Sequence, residues 1–333
     1  MRNGLVAALI CAAGAANAQS VESFYRGRQI EFIVGSEGGS SYDGFARLLA
    51  RYMPEHIPGN PSFVVRLMPG AGHIKATNYL YSVAPRDGTS IGIISQLIPT
   101  AAALKNKPGL EADFRRMNWI GSTDTANQVC IARPDARVKK GADLFTQTLI
   151  VGGAGAGSGV STIPIYLREI YGMKFELIEG YKNSGDVMLA MDRGEVEGVC
   201  QTYQGFDHSR PGWITQGKAN LLFNLEKEPI PGLGAPSIRQ FIKTPQQMHV
   251  ADFFSDNNNL GRPVVGPPDI PAERLDVLRR AFDAAVRDPG YLADAKRQNL
   301  DPSPKIGEEQ EKLFREILET PEEIIRLAAK FLG

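Results

Sequence analysis

Residues 29–50, QIEFIVGSEGGSSYDGFARLLA, read as a strand, a glycine-rich loop and a helix in direct succession. The segment 29–35 is β-branched and aromatic and ends in Gly, which predicts a strand. A loop runs from Ser36 to Ser41. A helix follows near Tyr42, because Phe45, Leu48, Leu49 and Tyr52 recur at helical spacing while Arg47 and Arg51 lie off that stripe. Pro54 and Pro58 end it. Outward from this unit, 63–67 (FVVRL) is a second strand, followed by the loop Met68-Pro69-Gly70-Ala71-Gly72-His73 and a helical stretch carrying Ala76, Tyr79 and Leu80. Pro85-Arg86-Asp87-Gly88 is a turn and 90–95 a third strand. The order β-α-β-α-β predicts a parallel sheet with right-handed crossovers.

The pattern restarts near residue 149. Thr148 to Val151 predicts a strand and Gly152 to Gly159 a glycine-rich loop. Ser161, Thr162 and Pro164 read as an N-cap cluster, and Ile163, Leu167 and Ile170 as the stripe of the next helix. Strands are expected at 175–178 and 196–200, with a helix between them carrying Val187, Met188 and Met191. Residues 225–262 read as irregular, and Asp256-Asn257-Asn258-Asn259 as a turn, since it lacks the Gly and downstream Glu of a calcium loop. After 263–266 comes a long helix from Pro271 to about Arg287. The helical C-terminal region is expected to break at Pro321. No short solenoid repeat is present.

The 333 residues fit two domains, and the 43% hydrophobic content is enough for sizeable cores. With 37 basic against 37 acidic residues, the chain lacks the cationic excess that phosphate backbones require, so nucleic acid is not expected as a partner. No apolar run reaches the ~20 residues of a membrane helix. Met1 to Ala18 reads as a secretory signal: Arg2, an apolar stretch from Leu5 to Ala16, and a small-x-small cleavage site at Ala16-Asn17-Ala18. Ile10 before Cys11 argues against a lipid anchor. Cleavage after Ala18 leaves Cys130 and Cys200, both in strand-like runs. They read as buried thiols in preference to a disulfide, though an oxidising compartment permits either.

Catalytic signatures are missing. There is no HExxH, GxSxG, SxxK or GxxxxGK[ST] motif, and 152–159 does not fit GxGxxG. No Cys/His spacing suits a metal. His56, His73, His208 and His249 are scattered, and only His73 lies in a candidate loop. No cofactor is expected. What remains is a pair of helix N-termini able to receive an anion. Glycine lets backbone approach a ligand, first-turn N–H groups lack helical partners, and the helix dipole favours negative charge there. Ser40 and Ser41 at one terminus, and Ser158 and Ser161 at the other, supply hydroxyls. Either loop alone is better explained by capping. Two matching loops point to a carboxylate held between two α/β units.

At these loops the sequence resembles the substrate-binding receptors of tripartite tricarboxylate transporters, the TctC-like or Bug family. The likeness rests on 30–50, on Met68-Pro69-Gly70-Ala71-Gly72, on Pro85-Arg86-Asp87-Gly88-Thr89, and on Gly180-Tyr181-Lys182 through Gly194-Glu195-Val196-Glu197. It implies an α/β, two-lobed type II periplasmic-binding-protein (Venus flytrap) fold. Residues 19–125 plus 263–333 would form the first lobe and 126–262 the second. Carried over by position, the first-lobe contacts would be Gly39, Ser40, Ser41, Asp43, Gly70, Ala71 and Gly72. Those of the second would be Ser158, Gly159, Tyr181, Ser184 and Asp186. Gln96 and Gln201 end strands that point at the cleft and are added. His73 replaces the family's usual Gly and Asn183 another, while Glu37 and Asp43 place acid near the expected anion site.

The expectation is a periplasmic receptor, not an enzyme. It would bind a small organic carboxylate and deliver it as a monomer to membrane transporter subunits. The alternatives are a secreted α/β hydrolase or isomerase, and a ligand-responsive periplasmic sensor of the same fold.

Overall fold

A computed structural model describes residues 20–104, 108–155, 158–230 and 232–331. The expected signal at 1–18 lies outside these residues, as do Ala156 and Gly157 of the second glycine-rich loop. The first α/β run is α1 (Val21–Tyr25), β1 (Gln29–Val34), α2 (Ser41–Tyr52), β2 (Ser62–Leu67), α3 (Ile74–Ser82), β3 (Ser90–Ile93), α4 (Leu97–Leu104) and β4 (Asn118–Ser122). The second is β5 (Gln128–Ala132), β6 (Leu149–Gly153), α5 (Gly159–Tyr171), β7 (Phe175–Glu179), α6 (Ser184–Arg193), β8 (Gly198–Thr202), α7 (Tyr203–Ser209), β9 (Asn220–Asn224) and α8 (Pro245–Leu260). The chain then returns through β10 (Pro263–Gly266), α9 (Ala272–Ala285), α10 (Pro289–Arg297), β11 (Lys305–Ile306), α11 (Gly307–Leu318) and α12 (Glu322–Ala329).

These strands make two sheets on one plan. The first has the order β11-β4-β10-β3-β1-β2 and the second β7-β6-β8-β5-β9. In each, three strands run parallel and the next is reversed: β10 is antiparallel to β3 and β4, and β5 to β8 and β9. The reversed strand is in both cases the one that arrives from the other sheet. The two crossings lie side by side, at 123–127 and at Gly261–Arg262. A Cβ on Gly261 would stand 1.7 Å from the Asp124 carbonyl oxygen, and φ is +56°, so only glycine lets the crossings pass this closely.

The inner parallel strands are the buried ones, with Phe32, Ile33 and Val34 of β1 fully buried, while the edge strands β2 and β7 leave Val64 and Ile178 exposed. The stripe read in the sequence holds, with Phe45, Leu48 and Leu49 of α2 buried. Helix α8 packs on α11 and α12. Phe314 of α11 lies 5.3 Å from Trp119 of β4, and Lys227 reaches Asp256 of α8 at 2.5 Å and Glu316 of α11 at 2.9 Å. The C-terminal helices thus pack on β4 of the first sheet and on α8, the helix through which the chain returns from the second.

Three expectations change. The stretch 225–262, read as irregular, holds the 16-residue helix α8, and the turn expected at 256–259 is its last turn. Its polar residues have buried partners: Ser255 Oγ donates to Glu226 at 3.0 Å, Asn259 Nδ2 donates to Glu226 at 2.8 Å, and Asn257 Oδ1 accepts from Thr100 Oγ1 at 2.5 Å. These tertiary bonds outweigh the weak helix propensity of the Asn run. The cap of α5 is at Ser158, three residues earlier than expected, and Pro164 lies inside the helix. Finally, Cys130 and Cys200 form a disulfide, not two thiols. They are direct cross-strand partners in the β5–β8 ladder, with Cα atoms 4.1 Å apart.

Candidate ligand site between the lobes

Parallel strands of an open α/β sheet offer ligands their carboxyl ends, where loops and helix N-termini converge. Four loops at these ends carry most of the expected contacts. In the β1–α2 loop, Ser40 caps α2 by accepting from the Asp43 N–H at 3.2 Å, and its hydroxyl meets Ser36 Oγ at 2.6 Å. Gly39, at φ +80°, donates its N–H to Asp43 Oδ2 at 2.9 Å. The other Asp43 oxygen is 2.7 Å from Arg47 Nε. The Asp43 side chain therefore ties its own loop together and is buried.

The loop before α3 runs through four successive positive φ angles, at Gly70, Ala71, Gly72 and His73. Two are glycines, which adopt them freely; Ala71 and His73 carry strain there. The His73 ring packs on Gly35, whose added Cβ would lie 2.3 Å from Nδ1, and sits 4.6 Å from the Tyr42 ring. Burial pushes the imidazole pKa down to about 4, so the ring is neutral at pH 7. Tyr42 OH reaches Gln96 Oε1 at 3.4 Å. On its other side stands Arg262, its guanidinium carbon 5.1 Å from the Tyr42 centroid and 5.7 Å from that of Phe45, ion-paired with Asp124.

A cavity of about 990 Å³ opens between the lobes against this cluster. Ser41, Tyr42 and Gln96 line it from the first lobe, Thr202, Gln204 and Asp207 from the second, and Asp124 and Arg262 from the crossings. Lys296 and Asp301 close one side. Of the expected contacts, Ser41 and Gln96 line this cavity. Gln201 is turned into the second lobe, 7% exposed, with its amide 3.3 Å from Met188 Sδ; Thr202 and Gln204 take its place. Arg262 and Lys296 were not among the expected residues. Arg262 had a signal, a lone cation at the crossing just before β10. Lys296 had none, because its place depends on how α10 folds back.

In the second lobe, Ser158 donates to the Gly155 carbonyl at 2.8 Å, and Gly159 opens α5. Asn183, where the family has Gly, caps α6 by accepting from the Asp186 N–H at 3.0 Å, which makes Ser184 the first helical residue. Tyr181 N–H donates to the Gly153 carbonyl at 3.2 Å. Between these segments stands Glu179, whose Oε2 accepts from the Gly155 N–H at 2.9 Å and from Ser161 Oγ at 3.1 Å.

A solved TctC solute-binding protein from Polaromonas, without ligand, superposes with a TM-score of 0.71, covering 91% of this chain and 99% of that one at 18% identity. This chain has the two-lobed fold of the periplasmic binding proteins. Two Rhodopseudomonas palustris structures share it. MatC with bound malate gives a TM-score of 0.54 at 18% identity, over 90% of this chain and 99% of its own. Rpa4515 with adipate gives 0.57 at 17% identity, over 91% and 97%. No family model and no curated protein matches the sequence.

Proposed function

We propose that this chain is an exported solute receptor of the tripartite tricarboxylate transporter type. It would hold a small carboxylate between its lobes and deliver it to membrane transporter subunits. The observation that carries this is the meeting, in one interlobe cavity, of the first turn of α2 with the guanidinium of Arg262. The Ser41 hydroxyl and the free first-turn N–H groups of α2 suit one carboxylate oxygen. Arg262 suits the other through a charge-assisted bond. Tyr42, held between His73 and Arg262, forms the wall beside them. The malate and adipate carried by the two R. palustris proteins fit the same chemistry. A ligand touched by both lobes favours the closed state, with the crossings as hinge.

The test is a thermal-shift screen of residues 19–333 against mono-, di- and tricarboxylates, aromatic acids, amino acids and sugars. A ligand at ~100 times its dissociation constant adds about 2.7 kcal/mol of stability. A shift confined to one class of acids, weakened about tenfold in affinity by Ser41→Ala, is the expected result. A shift with sugars alone overturns the proposal. So does the absence of any shift when native mass spectrometry shows no carried-over ligand.

A further inference from the structure

The second-lobe wall of the interlobe cavity carries two glutamine amides whose oxygens the protein leaves unmet. Gln128 opens β5 and Gln204 stands in the first turn of α7, and both line the cavity. The sheet brings them to neighbouring strand ends: Gln128 is the register partner of Thr202 in the β5–β8 ladder, and the Tyr203 N–H donates to the Asn127 carbonyl at 2.7 Å. Their backbones are anchored. The Gln128 N–H donates to Glu226 Oε1 at 3.1 Å, and Thr202 Oγ1 caps α7 by accepting the Gly205 N–H at 3.2 Å. Their side chains are not committed in the same way: Gln128 Oε1 and Gln204 Oε1 are both buried with no hydrogen-bond partner among the described residues. An unmet buried acceptor is costly, and a ligand that brings a donor recovers that cost. The terminal torsion of Gln is broad, so each amide head can turn to meet a donor in the cavity.

We infer that Gln128 and Gln204 are the specificity-determining residues of the second lobe and select a carboxylate that carries a hydroxyl at its far end. This rests on the receptor reading above, in which the ligand touches both lobes. The seat at Ser41 and Arg262 and the two amides belong to one cavity. The first crossing joins them: Asp124, the ion-pair partner of Arg262, precedes Gln128 by four residues, an extended span of at most ~14 Å. The other second-lobe residues at the cavity, Thr202, Gly205, Asp207 and Pro211, include no cation. A second carboxylate brought to this wall meets the acid of Asp207 and no counter-ion. A hydroxyl donates to one amide oxygen and can accept from an amide N–H. Lys296, the cavity's cation besides Arg262, belongs to α10, which packs on α2 in the lobe that already holds the seat. The ligand class is thus a small monocarboxylate with a hydroxyl a few carbons away.

The experiment titrates chain-matched acids by calorimetry into the wild type, Gln128→Met and Gln204→Met: 4-hydroxybutyrate beside butyrate and succinate, and 6-hydroxyhexanoate beside hexanoate and adipate. In one of the two sets, wild type is expected to bind the hydroxyl-ended acid at least tenfold more tightly than either companion. Each Met variant keeps the length of the side chain and removes the amide. Each is expected to shrink the hydroxyl-over-methyl ratio at least threefold while the methyl-ended acid keeps its affinity within twofold, a split that a merely damaged fold would not give. Gln204→Glu, which keeps an acceptor, is expected to retain the hydroxyl preference and to weaken the carboxylate-ended acid further. Tightest binding by succinate or adipate would assign the far end to Lys296 and overturn the inference. No gain from the hydroxyl overturns it as well, and a ratio unchanged in either Met variant overturns that residue's role. If none of these acids binds while the screen above returns another acid, this inference alone falls. If no acid binds in either experiment, the receptor reading falls and this inference with it.

Discussion

His73 shows how one residue can set a pocket wall. It adopts φ +76°, its ring fills the space above Gly35, and it supports Tyr42 from behind. Gly35→Ala places a methyl group in that ring and is expected to cost roughly 1–3 kcal/mol by overpacking. Adding His73→Gly removes the obstruction and the left-handed strain. The double variant is therefore expected to recover most of the loss in chemical denaturation, and a strictly additive pair of changes would refute the contact. Residues of this kind were legible in the sequence only as positions. Ser40, Ser41 and the Pro-Gly-Ala-Gly loop announce themselves by turn and cap chemistry, which is local. The seats of Arg262, Lys296 and Glu179 depend on chain segments brought together by the fold. Asp43 stands in the expected loop, yet its carboxylate is spent on Gly39 and Arg47.

The elements were read well where hydrophobic period decided them and poorly where polar partners did. Strand β1 and helix α2 follow from apolar spacing alone. Helix α8 is polar over its last turn, and its length is set by Glu226, Lys227 and Thr100. Its start carries a local cap that the reading of 225–262 as irregular passed over: Thr244 accepts the Gln247 N–H at 3.2 Å, Pro245 occupies the first turn, and Gln247 Oε1 accepts the Lys243 N–H at 2.8 Å. Glu226 links this helix to the first crossing by also accepting the Gln128 N–H at 3.1 Å. Burial pushes its carboxyl up to about 7, against the downward pull of those hydrogen bonds. A carboxyl raised in the folded state holds its proton longer than in the unfolded chain. Stability from this group therefore falls as pH rises from about 4.5 to about 7, by roughly 3 kcal/mol. His73, lowered to about 4, acts oppositely and loses stability as pH falls from 6.5. Burial also raises Asp256 to about 6, so Glu226→Gln is expected to shrink the falling limb, most of all above pH 6, and to leave that of His73; a stability-against-pH curve parallel to the wild type would refute the assignment. The disulfide between β5 and β8 closes a loop of 70 residues. The paired Cys130→Ala and Cys200→Ala variant is expected to lose up to about 4 kcal/mol, and a loss under 1 kcal/mol would contradict a structural role.

At the scale of the molecule, the repeat of one sheet plan in two lobes follows from the restart of the strand–glycine loop–helix pattern at residue 149. The reversed strands β5 and β10 were not legible, because their direction depends on where the chain crosses. In the proposed closure these crossings, with Gly261 packed against Asp124, would be where the chain bends. Small-angle scattering with a saturating acid from the binding screen is expected to show a fall in the radius of gyration, and full occupancy without contraction would refute a flytrap. The central claim is that a carboxylate is seated at the start of α2. A crystal structure with the bound acid tests this most directly. Its carboxylate is expected within hydrogen-bond distance of Ser41 and the Arg262 guanidinium; density for the acid outside the interlobe cavity, or with its carboxylate away from both residues, would contradict the account.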